Sequence, residues 1–426
     1  MLLRKRLFQL LMVPAVALTV VSCKKNNDIE EIIDPPGSTV LNGTLNADRT
    51  LTADQVWTLK GYVFVPDGVT LTIEPGTTVV SDVSDKGALC IERGGKIIAE
   101  GTADKPIVFT SGKPVGSRSR GDWGGIVILG KATTNRTSTP VIEGGLDRLY
   151  GGTDDDDNSG VLKYVRIEYA GIAAFSNSEI NALTLGAVGR GTTIENVQVA
   201  YANDDAFEFF GGTVNAKYLI SFATSDDDFD FDFGYRGKIQ FAVALRDPSI
   251  EDTDAGNGVE SDNDGSGSNA EPFTRPELSN FTWVGPNQSS PNGFLNYGNR
   301  WRRSTRFSVR NSIIMGWPKG GFSIESDETA TALKTGLSEF RNNIVQASTD
   351  IFRSNSNILN SADLETKALE DGCLKFTNAA EINLTDPFNR SNPNMLPAPG
   401  SPALSGADFT GIDSYFTTTD YIGAFG

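Results

Sequence analysis

Two short segments repeat one acid and aromatic pattern. Asp204 to Phe209 reads DDAFEF, and Asp226 to Phe231, twenty-two residues later, reads DDDFDF. Paired carboxylates can flank a glycosidic bond as acid and base or nucleophile, and clustered carboxylate oxygens can hold a hard cation. If equivalent positions stack, Asp204 lies over Asp226, Asp205 over Asp227 and Glu208 over Asp230. Alternation in Asp228 to Phe233 predicts Phe229, Phe231 and Phe233 on one face, with Asp230 and Asp232 opposite. Three readings are open. Phe fills a core while Asp faces water, the acids form a ladder for a cation or a sugar, or Asp204, Asp205, Glu208, Asp226 and Asp227 are catalytic.

The chain contains no histidine. That removes Ser-His-Asp and Cys-His nucleophile systems and argues against a zinc site. No Walker loop or dinucleotide fingerprint is present. The formal net charge is −17, and it becomes more negative if the basic leader is removed. Such a surface repels nucleic acid and anionic lipid, so no nucleic-acid partner is expected.

Two further acidic stretches have ligand-like spacing. In Glu260 to Glu271, ESDNDGSGSNAE, the residues Glu260, Asp262, Asp264 and Glu271 fall at positions 1, 3, 5 and 12 of a calcium loop, with Gly265 at position 6. Position 1 is Glu and no flanking helix pair is evident, so the expectation is a calcium-loop mimic. Asp154, Asp156 and Asn158 alternate in DDDDNSG, and the other reading of both stretches is a solvated surface loop. Oxygen-rich loops suit Ca²⁺, the cofactor expected here. Against this acidity stands NRWRRSTR, where Trp301, Arg302 and Arg303 are candidates to contact a glycan or a protein partner. The alternative is an arginine turn pairing with nearby acids. Trp57, Trp123, Trp283 and Trp317 sit among apolar residues and read as core.

The elements that must position these groups recur as short apolar runs between glycine turns. LTIEPGTTVV (71–80) matches LCIERGGKII (89–98), YVRIEYAG (164–171) matches NVQVAYAN (196–203), and RNSIIMG (310–316) matches RNNIVQA (341–347). Strands repeating in this way bury one face only by stacking coil on coil, so the fold class is all-β, a parallel β-helix solenoid forming one elongated domain with acidic loop insertions. A β-propeller needs units of about 40 residues or more. Asn360 to Gly372 alone carries a helical period. Cys90 and Cys373 read as buried thiols rather than a disulfide framework.

Residues 1–22 combine a basic start (Arg4, Lys5, Arg6), an apolar run from Leu7 to Val21, and Ser22 before Cys23. This reads as a secretory signal. VVSC resembles the lipobox of bacterial lipoproteins, which implies lipidation at Cys23. Residues 23–39 form a lipidated N-terminus and a polar tether containing Pro-Pro-Gly, and 40–426 the folded domain.

The strings VTLTIEPGTTVV, ALCIERGGKIIAEGTADKPIVFTS and GDWGGIVILGKA, the later NDDAFEFFGGTVNAKYLISFATSDDDFDFDFGYRGKIQF, and the ending APGSPALSG with DYIGAFG resemble right-handed parallel β-helix lipoproteins of Gram-negative envelopes, within the pectin-lyase-like superfamily. The resemblance implies the right-handed fold and lipid anchoring to the outer membrane; surface display is expected over a periplasmic-facing body because glycan or partner binding makes sense there. It implies no reaction. Polygalacturonase-like relatives carry a third Asp and a Gly-His-Gly segment that this chain lacks, and no Lys or Arg here matches a lyase motif. The expected function is therefore a non-catalytic binding or scaffold module, with a polysaccharide or an outer-membrane protein as partner and Ca²⁺ as cofactor. The alternative is an extracellular polysaccharide lyase or glycoside hydrolase using the acidic ladder.

Overall fold

The computed structural model describes residues 38–426, apart from 86, 176–177 and 254. The leader, Cys23 and the tether up to residue 37 lie outside the described residues. From Val40 to Phe376 the chain winds a 26-stranded sheet whose pairings are parallel, which is the expected β-helix. No helix among the described residues is long and apolar enough to cross a membrane.

Three of the sequence repeats stack as expected. Phe207 pairs with Phe229, Val165 with Val197, and Ile313 with Ile344. The eighteen-residue match does not. Leu71 pairs with Ile97, whereas Leu89, its counterpart in the repeat, pairs with Val63. Strand, glycine turn and strand recur within a coil as well as between coils, so that match compares different sides of the solenoid.

One corner of the solenoid is built from left-handed backbone. Asn196, Tyr218, Phe241, Asn280, Asn311 and Asn342 succeed one another there with φ between 53° and 60°. Asn adopts this conformation at small cost, because its short polar side chain bonds locally. Tyr218 and Phe241 gain compensation by stacking, with ring centroids 5.2 Å apart. The Asn side chains also tie down the C-terminal segment. Asn280 Nδ2 donates to the carbonyls of Tyr421 and Gly423, and Asn311 Nδ2 to that of Asp408, each at 3.2 Å. Residues 377–426 thereby cover an outer apolar stripe that includes Val243, Val284, Ile313 and Ile344.

Inside the coils, aromatic residues form columns. Phe207 stacks on Phe229 at 5.2 Å, Phe209 packs on Phe231 at 5.1 Å, and all four are fully buried. Each contributes roughly 1.5–3 kcal/mol by leaving water. Phe233 does not join them. Its φ of 49° breaks the alternation, and its ring stacks on Phe210 outside the main core at 5.7 Å. The expected helix is present at Ser361–Glu370, capped by Asn360. A second, Asp327–Lys334, begins at the Ser326 cap. Cys90 and Cys373 are both buried and free.

Candidate functional site

Inward Phe forces the residues between them outward. Register places Thr184, Glu208, Asp230, Glu260, Arg300, Ser323 and Arg353 in one row on successive coils. Uncharged at one end, acidic in the middle and basic at the other, the row contains the predicted stack of Glu208 on Asp230.

Beside it runs a second ladder, at the turn that enters each strand. Asn181 Oδ1 accepts the backbone N–H of Asp205 at 3.2 Å, and Asp205 Oδ1 accepts that of Asp227 at 2.7 Å. Asp227 Oδ1 in turn accepts the N–H of Asn257, and Asn257 Oδ1 that of Tyr297 at 3.2 Å. Asp205 and Asp227 therefore help to stack the coils, a role the sequence reading did not foresee.

The two ladders bring carboxylates together in three groups whose oxygens lie within 4.8 Å of one another. These are Asp204, Asp205 and Asp226; Asp205, Glu208 and Asp230; and Asp227, Asp230 and Glu260. A cleft of about 220 Å³ is lined by Asp205, Asp226, Asp227, Asp230 and Glu260 together with Arg300, Arg302 and Arg303, while Asp204 and Glu208 lie outside its lining. Burial pushes the carboxyls of Asp204, Asp205, Glu208, Asp227 and Asp230 well above the usual range, and neighbouring carboxylates push them further. The buried Oδ1 of Asp230 has no hydrogen-bond partner. Carboxylates so placed repel one another when ionised, so the site favours protons or a cation. All the donors are oxygens, which suits Ca²⁺.

The expected calcium loop is corrected. Glu260, Asp262, Asp264 and Glu271 do not converge. Glu260 meets Arg300 at 2.8 Å and also pairs with Arg302, while Asp262 meets Arg302 at 2.8 Å and Arg303 at 2.6 Å. Asp264 closes its own turn by accepting from the N–H and hydroxyl of Ser266, at 2.9 and 2.6 Å, and from Ser268, so its carboxyl falls to about 2. Glu271 is exposed. The 1-3-5-12 spacing fails because Glu260 is a strand residue facing the cleft and the loop begins only after Ser261. Of the four, only Glu260 joins an acidic group among the described residues.

Asp154, Asp156 and Asn158 are likewise not drawn into such a group among the described residues. Asp154 accepts from the Asp156 N–H at 3.1 Å, Asn158 from the Gly160 N–H at 2.8 Å, and Asp156 faces Arg190 at 3.3 Å. The centre of that loop is Asp155, which accepts from Thr133 and Arg236. The expectation for Trp301 is also corrected. It is fully buried against Phe307, with ring centroids 4.4 Å apart, because it alternates with the outward Arg300 and Arg302. Trp57, Trp123, Trp283 and Trp317 are core as expected. Arg302 and Arg303 do line the cleft, paired with acids as the arginine-turn alternative holds.

Sequence reasoning missed Glu143. It lies between buried Ile142 and Gly144 in the insertion before Gly160, its carboxyl meets Glu208, and Asn181 Nδ2 donates to both, at 3.3 Å to Glu143. Loss of hydration and the charge of Glu179 push it up to about 7, against the lowering effect of the bond with Glu208. No local motif marks Glu143, since a long insertion delivers it to the ladder.

No curated protein and no solved structure matches the chain. A family model, the pectate-lyase-like beta helix domain, matches residues 43–383, nearly the whole stretch that winds the parallel sheet and carries both ladders. The chain belongs to that family.

Proposed function

We propose that this is a cation-dependent, non-catalytic binding module of the cell envelope, anchored through lipid on Cys23 to the outer membrane and displayed at the surface, with a polysaccharide or an outer-membrane protein as its ligand. The observation that carries this reading is the set of overlapping carboxylate groups at an arginine-lined cleft, with the buried Asp230 Oδ1 left unpartnered. A Ca²⁺ ion there would relieve the repulsion and leave a surface of mixed charge. The arginines are poor candidates for a lyase base. Glu260 raises Arg300 and Arg302 above their ordinary values against the opposing effect of burial, whereas a base must lose its proton readily.

The second reading, a glycoside hydrolase or lyase, draws on Asp205, Glu208 and Asp230, whose oxygens lie within 4.8 Å. That is close to the roughly 5–5.5 Å separation of retaining glycosidases. One assay separates the two. The purified protein, with and without calcium, is screened against a polysaccharide panel for binding and for new reducing ends or unsaturated products. Calcium-dependent retention without product supports a binding module, and turnover overturns it. Anchoring is tested by Cys23→Ala, which should move the protein from the membrane to the soluble fraction. Unchanged fractionation would remove the anchor from the proposal.

A further inference from the structure

The ladder that stacks the coils needs an oxygen that accepts one backbone N–H per rung, and an amide supplies it without charge. Asn181 and Asn257 do this at the two outer rungs. The inner rungs are Asp205 and Asp227, whose ionised forms burial and neighbouring acids disfavour. Stacking alone gives no reason for a carboxylate in either place, so the extra charge points to a ligand. Independently, the buried Asp230 Oδ1 faces the same groups without a partner.

The three groups are not separate. Asp205 belongs to the first and second, and Asp230 to the second and third. The third differs from the others in that Glu260 is already held by Arg300 and Arg302. Its positive charge is thus supplied by the chain itself.

Resting on the cation reading above, we infer that the ladder holds two divalent cations side by side. One lies at Asp204, Asp205 and Asp226, the other at Asp205, Glu208 and Asp230, with Asp205 bridging them and the Arg302 guanidinium in the third position. With only oxygen donors, the ion is of the calcium class.

The test is the stoichiometry of Ca²⁺ on the full purified protein after chelation, read by equilibrium dialysis and calorimetry. Wild type should bind two per chain. Asp205→Asn keeps the acceptor for the Asp227 N–H and so should keep the fold, checked by circular dichroism, but should bind at most one, at least tenfold more weakly. The exposed Glu271→Gln should still bind two. A wild-type stoichiometry of one, or two ions retained by Asp205→Asn, overturns the paired site and leaves the cation reading standing. No binding overturns both.

Discussion

Asp205 Oδ1 accepts the backbone N–H of Asp227 at 2.7 Å, while the same carboxylate lies within 4.8 Å of Asp204 and Asp226 in one group and of Glu208 and Asp230 in a second. One side chain thus stacks a coil and crowds a negative cluster, and substitution can separate the two roles. Asp205→Ala leaves a buried N–H without an acceptor and should lower unfolding free energy by about 1–3 kcal/mol in urea titrations. Asp205→Asn retains the acceptor and removes a repelling charge, so in chelator it should be at least as stable as wild type. Equal losses in both variants would sink the ladder role.

Arg302 bridges Glu260 and Asp262, with side chains only 16%, 13% and 8% exposed. Arg302→Gln leaves two carboxylates short of a counter-ion, although Arg300 and Arg303 still reach them. Breaking a fully buried pair costs about 3–5 kcal/mol, so roughly 2–3 kcal/mol is expected here after discounting for shared partners and partial exposure. Because Glu260 then becomes available to a metal ion, the rise in melting temperature on adding calcium should exceed that of wild type. An unchanged calcium response would show that Arg302 does not compete with a cation.

The acidic stack was legible because both repeated hexapeptides alternate buried Phe with outward acid, and the spacing of identical patterns sets the register of Phe207 on Phe229 and Glu208 on Asp230. The same logic failed for Leu71 and Leu89, whose strands repeat a motif without stacking. The calcium-loop spacing at Glu260 misled because a strand orients alternate side chains oppositely, and here Arg300 on the next coil claims the first ligand. Glu143 was beyond sequence reasoning, since its arrival depends on the path of an insertion rather than on any local period. The basic cluster could be read as ion-paired, but the burial of Trp301 required the strand phase that register supplies.

Trp301 supplies a control for that distinction. Its full burial against Phe307 makes it a packing residue, and Trp301→Ala should cost about 3–5 kcal/mol through the cavity it leaves. At temperatures where the variant stays folded, calcium binding should match wild type within about twofold. A variant of undiminished stability that loses ligand binding would restore Trp301 as a contact residue.

The raised carboxyls of Asp204, Asp205, Glu208, Asp227 and Asp230, with Glu143 at about 7, fix the sign of the pH response. Each folded-state value lies above its unfolded one, so between them the native state binds more protons, and stability falls as pH rises. Calcium-free protein should therefore melt at a higher temperature near pH 5 than near pH 8. Each group that titrates contributes a slope of up to about 1.4 kcal/mol per pH unit. Calcium takes the place of those protons, so free ion at about 100 times the dissociation constant should restore about 2.7 kcal/mol per site near pH 8 and far less near pH 5, where protons already neutralise the ladder. Asp205→Asn, with one acid fewer, should show a shallower fall in chelator. Melting curves from pH 5 to 8, in calcium and in chelator, measure all three effects. A flat profile in chelator would mean that folding does not perturb these carboxyls, and a calcium gain equal at both pH values would mean that the ion binds elsewhere.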